Sequence, residues 1–513
     1  NTQLVGDGTY TLTLAVTDLA GNREATVISR TILVDNTAPT VTFGSYTEGT
    51  NSNYQHASGN TIYYNPAGSG DFNVNINATD AGSGVNRVDF PNLNLTGTLW
   101  SVQGSDTASP YTWNYGWTSG ATAPTGTLVT GFDNAGNSTN ANFVILADAA
   151  PPIGGSISYT GGPTNATQTD VTFTPSTDAA SGYDRHYLER RQASLAANSC
   201  GTFGPWGAIG GTSPASTYTD ATTADGYCYE YRLVTHDKVD NSTIIQPGTI
   251  VKVDRTAPTG TISATPAGPS RLTITLTGTS ADTTTDVQQV VVKYAGPSSG
   301  TFTACTGILS WSCTWDTTTV SDGMYTLTLE VTDLGGNREA SVISRTIEID
   351  NLPPVISFTS YTEGSNGNYQ HAIGSTMYYN PAGTGSFNVN FDSVDVGSGM
   401  NRVEFPDLNL TGSNWSPAGN DPATPFTWVY AWTAGATDPT GTVATAFDNA
   451  GNSSTAAFTL RADAAIPVGG SISYPGGPMK DADIDVNFTA SSDSDSGYCL
   501  LYTSPSPRDA TLS

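Results

Sequence analysis

The stretch Asp7–Tyr183 recurs without a gap 315 residues later as Asp322–Tyr498. A chain that copies itself at a fixed period folds as a series of small units, building length or repeated surface sooner than one active site. Both copies are punctuated by the same phrases. A turn, Asp18-Leu19-Ala20-Gly21-Asn22, leads into a hydrophobic strand and then into the junction Asp35-Asn36-Thr37-Ala38-Pro39. Junction aspartates follow at Asp148, Asp254, Asp350 and Asp463, at spacings of 113, 106, 96 and again 113 residues. The repeating unit is therefore three modules of about 100 residues each, an ordinary domain size.

Charge narrows the function classes. Of 513 residues, 45 are acidic and 18 basic, a net charge of −27. Nucleic acid is excluded as a partner, because its phosphates need Lys and Arg to displace counterions. Anionic lipid surfaces are disfavoured for the same reason. The charge is thinly spread over a chain rich in Ser, Thr, Asn and Gly with 10% aromatic residues, which suits an extracytoplasmic β-protein and not a disordered acidic tail. No apolar run is long enough to insert in a bilayer, and nothing points to an oligomer.

Short runs of β-branched and aromatic residues alternate with Gly/Asn/Asp/Ser/Pro turns, and no amphipathic helix is evident. Tyr10, Leu12, Leu14 and Val16 share one face of a strand that recurs as Tyr325, Leu327, Leu329 and Val331. Such spacing predicts an all-β chain of antiparallel β-sandwiches arranged as an extended rod. The phrase Tyr-x-Leu-x-Leu-x-Val-x-Asp-x-x-Gly-Asn, with a strand and Val-Asp-x-x-Ala-Pro after it, resembles the bacterial Ig-like repeats of large surface and adhesin-type proteins. Within 149–254, Tyr183-Asp-Arg-His-Tyr-Leu-Glu-Arg-Arg191 and Tyr227-Cys-Tyr-Glu-Tyr-Arg232 look closer to a fibronectin type III strand pair.

The expected modules are 1–35 (the last strands of an Ig-like unit), 36–148 (Ig-like with an extra segment, 46–68), 149–254 (fibronectin-like), 255–350 (Ig-like), 351–463 (a copy of 36–148, with extra segment 361–383) and 464–498 (part of a fibronectin-like unit). Residues 499–513 break from the repeat, and Cys499–Asp509 resembles translated sequencing adapter. With no signal peptide before Asn1, both ends are expected to be cuts in a longer chain.

The strongest chemical candidate is calcium at the joints. In an Ig sandwich two loops at the entry pole meet the incoming linker, which would gather Asp35, Asn36, Asp80, Asp133 and Asn137. The matching sets are Asp148, Asp178, Asp237 and Asn241, then Asp350, Asp395, Asp448 and Asn452, and a weaker set of Asp254, Asp282, Asp333 and Asn337. Carboxylates, amides and loop carbonyls supply the six to eight hard oxygens that calcium takes. The competing reading is turn chemistry alone, since Asp and Asn favour tight turns by bonding their own backbone.

A second candidate is a ligand platform. Tyr111, Trp113, Tyr115 and Trp117, with Phe426, Trp428, Tyr430 and Trp432 in the other copy, alternate with small or polar residues, so their rings share a face. They would form either a sandwich core or a glycan-stacking strip. Cys200/Cys228 and Cys305/Cys313 lie within single modules and lack paired zinc spacing, so two disulfides in an oxidising compartment are expected. No catalytic phrase accompanies the four histidines, and the chain is not read as an enzyme. The expected role is the stalk of a large secreted or cell-surface bacterial protein, with any glycan or protein ligand held by domains outside this chain. The alternative is a set of glycan-binding accessory modules of a surface polysaccharide-active enzyme.

Overall fold

The computed structural model describes residues 2–94, 97–263, 266–303, 305–409, 412–474, 476 and 485–497. The adapter-like tail 499–513 lies outside them. Every helical element among the described residues is a 3₁₀ turn of three residues, and none is long and apolar enough to cross a membrane. The protein is all-β. Its chain divides into two compact units, one of Asn1–Thr256 with Thr283–Thr285 and Leu334–Asn337, the other of the remaining stretches.

In the first unit, Thr40–Glu48, Gly70–Thr79 and Tyr111–Trp117 form one antiparallel sheet. A second sheet runs in the order Ser138–Asn142, Leu128–Asp133, Val85–Phe90, Gly104–Asp106. Period-2 alternation decides what is buried. Phe72, Val74 and Ile76 enter the core, while Asn73 and Asn75 point outward. That outer face is sewn by side chains: Asn75 donates to Ser45 and Thr47 and accepts from Thr112, and Asn114 donates to Asn73. Cross-strand polar ladders of this kind explain a surface rich in Asn, Ser and Thr and poor in charge.

The extra segment belongs to this fold. It forms the hairpin Gln55–Ser58/Thr61–Tyr64, whose second strand runs parallel to Val144–Ala147. Ile62 and Tyr64 are fully buried in the same core as Trp117 and Phe143. A further core in this unit gathers Ile157, Phe173, Leu188, Tyr231 and Val253. The long strands Tyr183–Ala196 and Tyr227–Asp237 pair over most of their length, and a disulfide joins Cys200 to Cys228.

In the second unit, Gly323–Asp333 pairs with Val287–Ala295 and Ile343–Ile349. Opposite lies a sheet of Thr259–Ile262, Thr273–Ala281, Ser310–Asp316 and Cys305–Thr306, where Cys305 and Cys313 are disulfide-bonded. Tyr325, Leu327, Leu329 and Val331 are at most 1% exposed there, whereas Tyr10, Leu12, Leu14 and Val16 of the near-identical hairpin are 38–59% exposed. Residues 355–462 repeat the long sandwich strand for strand.

Candidate metal centres at the module junctions

Each junction aspartate sits where an incoming strand ends. In the first unit, Asp35 follows Ile28–Val34, Asp80 follows Gly70–Thr79, and Asp133 closes Leu128–Asp133. One carboxylate oxygen from each of the three lies within 4.8 Å of the others. The same holds for Asp148, Asp178 and Asp237, and in the second unit for Asp350, Asp395 and Asp448. The outer two of every triad are buried and the middle one is half-buried.

Backbone turns hold the groups in place. Asp35 accepts from the Ser83 amide at 2.7 Å, Asp80 from Gly84 at 2.6 Å, and Asp133 from the amides of Ala135 and Asn137 at 2.9 and 2.8 Å. The bonds of Asp80 and Asp133 are local Asx-type turn bonds, whereas that of Asp35 crosses from the linker to the loop. Gly82 is what lets its loop close on the junction. A Cβ there would stand 2.5 Å from the Asp35 carboxylate, and one at Gly397 would stand 2.5 Å from that of Asp350.

The arrangement fits a hard cation. Calcium binds oxygens at about 2.3–2.6 Å, so ligands on opposite sides of one ion stand up to about 5 Å apart. None of the nine aspartates makes an ion pair with a protein cation among the described residues. Three carboxylates gathered in this way repel one another. Burial raises the Asp395 carboxyl above its ordinary value, and the Asp350 and Asp448 charges push it the same way. Burial, reinforced by the Asp148 charge, does the same to Asp237.

The asparagines do not present an oxygen to these centres. Asn137 Nδ2 donates to Asp133 Oδ2 at 2.7 Å and to the Asp35 carbonyl at 3.0 Å. Asn241 Nδ2 makes the matching bonds to Asp237 and Asp148, and Asn452 to Asp448 and Asp350. Both partners are acceptors, which fixes the nitrogen inward. These three side chains are thereby bonded to the aspartates beside them. Asn36 turns away altogether: its amide bonds the Asp7 carboxylate and the Thr2 and Val5 carbonyls. The oxygens that converge at each centre are carboxylates.

The aromatic strand does not form an open platform. Its four rings do share a face, but that face is the core. Tyr115 and Tyr430 are fully buried, and Trp117 and Trp432 are 2% exposed. Trp113 and Trp428 are half-buried, yet each is roofed by a neighbouring strand so closely that a Cβ on Gly104 or Gly419 would fall 1.9 Å from the ring. The glycine that makes this roof lies nine residues away and carries no signal of its own in the sequence.

Residues 1–60 and 309–375 match the family model of the bacterial Ig-like domain (group 3). The resemblance to bacterial Ig-like repeats is shown over those stretches. Among curated proteins no sequence matches the chain. Among solved structures, it is similar to a Ca2+-stabilized adhesin with which an Antarctic bacterium binds ice, at 15% identity over 83% of this chain and 100% of that one, with a TM-score of 0.32. A tetra-tandem repeat from the extending region of a large adhesion protein gives 16% identity, 83% and 100% coverage, and a TM-score of 0.23. Fibronectin(III)-like modules of CbhA from Clostridium thermocellum give 13% identity, 38% and 95% coverage, and 0.21.

Proposed function

We propose that the chain is a spacer region of a bacterial surface or secreted protein of adhesin type, its modules bounded at Asp35, Asp148, Asp254, Asp350 and Asp463 and stiffened by calcium at their junctions. One observation carries the calcium reading: every triad takes one carboxylate from the incoming linker and two from loops of the module it enters. An ion held there ties linker to module. Turn chemistry alone accounts for single aspartates, but not for three buried or half-buried carboxylates converging without a cation partner.

The spacer reading rests on the tandem sandwiches, each burying its own core, and on the family match. A glycan-binding reading loses its support with the burial of the aromatic rings. The test is thermal unfolding of the full chain with calcium and with chelator. Ligand at a hundred times its dissociation constant stabilises by about 2.7 kcal/mol, so calcium should raise the unfolding temperature by several degrees. Gly82→Ala and Gly397→Ala, which crowd the junction carboxylates, should each remove part of that gain. Equal unfolding with calcium and chelator would overturn the proposal.

A further inference from the structure

We infer that the segment 46–68 of the long module is a metal-independent clamp on the module that follows, and that Asn65 is its closing residue. Parallel pairing of Thr61–Tyr64 with Val144–Ala147 brings the end of the hairpin level with the junction, and the Asp148 amide donates to the Tyr64 carbonyl at 2.8 Å. Asn65 therefore emerges beside the linker. Its backbone amide donates to Tyr54, and its Oδ1 accepts from Ala67 at 2.9 Å.

The remaining end of the side chain reaches into the next sandwich. Nδ2 donates to the Val239 carbonyl and to Asn241 Oδ1, both at 2.9 Å. Asn65 is 3% exposed, so its two amide hydrogens are spent across the joint in a site closed to water. Asn241 is the residue that holds Asp237 and the Asp148 carbonyl. The clamp thus fastens the side chain that orders the metal triad. A second contact lies beside it. Lys238 Nζ lies 3.2 Å from His56 Nε2, where burial and then the Lys238 charge lower the imidazole pKa, and His56 Nδ1 faces Glu48 4.0 Å away.

In the other copy Asn380 makes the same local bonds, to the Tyr369 carbonyl and from the Ala382 amide. The clamp stands whether or not calcium binds, so it goes beyond the proposed metal sites and is tested without them.

Hydrogen exchange on the full chain in excess chelator gives the test. Asn65→Asp keeps the acceptor for Ala67 but sets a carboxylate against two oxygens. Asn65→Ala removes the group. Exchange of the Val239 and Asn241 amides, both bonded to Asp237, is expected to rise about tenfold or more in both variants. Exchange in Phe72–Ile76 should stay unchanged. Unaltered exchange at 239 and 241 would overturn the clamp. So would an equal rise at 72–76, which would make Asn65 a folding residue of its own module. Either failure leaves the calcium reading standing, because that is read from the unsubstituted chain with and without the metal.

Discussion

Asn137 donates its side-chain amide to the carbonyl of Asp35, 3.0 Å away and 102 residues earlier in the chain, and Asn452 does the same for Asp350 at 2.9 Å. The linker is thereby held by the last loop of the module it feeds.

Removing that amide strips a donor from two acceptors at once, the linker carbonyl and the loop carboxylate. Leaving buried acceptors unpaired costs about 1–3 kcal/mol. Asn137→Ala and Asn452→Ala should each lower the unfolding temperature of their module by several degrees in chelator, measured by calorimetry on the full chain. An unchanged transition would show that the bond contributes nothing to the joint.

The convergence of the aspartates was legible because the Asp-x-x-Gly-Asn and Asp-Asn-x-x-Pro phrases sit at fixed places in a sandwich whose pole is known. The direction of the asparagines was not, since a side-chain amide carries both a donor and an acceptor and only its neighbours decide which faces inward. Strand alternation was equally plain: Phe72, Val74 and Ile76 are core on period alone. It could not show that Ile62 and Tyr64 join them, because that needs the parallel pairing with Val144–Ala147 from eighty residues on. Nor could it reveal Gly104 lying over Trp113, a long-range contact made by a residue without a side chain.

Asp395 gives a signed pH prediction. Its folded-state pKa is raised, so the ionised form withholds stability above that pKa, and the stability returns as pH falls through it and is complete below the unfolded value. In chelator at neutral pH, Asp395→Asn should therefore raise the unfolding temperature of the 351–463 module by a few degrees, and the gain should fade as the medium is acidified. In saturating calcium the same variant should melt lower than the parent. A loss of stability in both media would contradict this, and following both curves from neutral pH down to pH 4 is sufficient.

Trp432 is 2% exposed and packs edge-on against Tyr379 at 5.7 Å. Truncating a buried Trp costs about 3–5 kcal/mol. Trp432→Ala should unfold the 351–463 module or bring its transition down steeply, as followed by calorimetry. A stable variant that had merely lost affinity for an oligosaccharide would instead revive the platform reading.

Cys200 and Cys228 close a loop of 28 residues, which in the chain-entropy treatment restrains the unfolded state by roughly 3–4 kcal/mol. Reduction should lower the unfolding temperature of the 149–254 module while leaving 36–148, which has no cysteine, where it was. Coincident shifts in both transitions would show that the two modules unfold as one.

The central claim is that the carboxylate triads are calcium sites, and direct binding tests it. Titration calorimetry of the metal-stripped full chain, at physiological ionic strength with magnesium present, should show at least three calcium ions bound, one at each of the triads that contain Asp133, Asp237 and Asp448. Asp133→Asn, Asp237→Asn and Asp448→Asn should each remove one ion. No binding at millimolar calcium, or a stoichiometry unmoved when all three substitutions are combined, would contradict it.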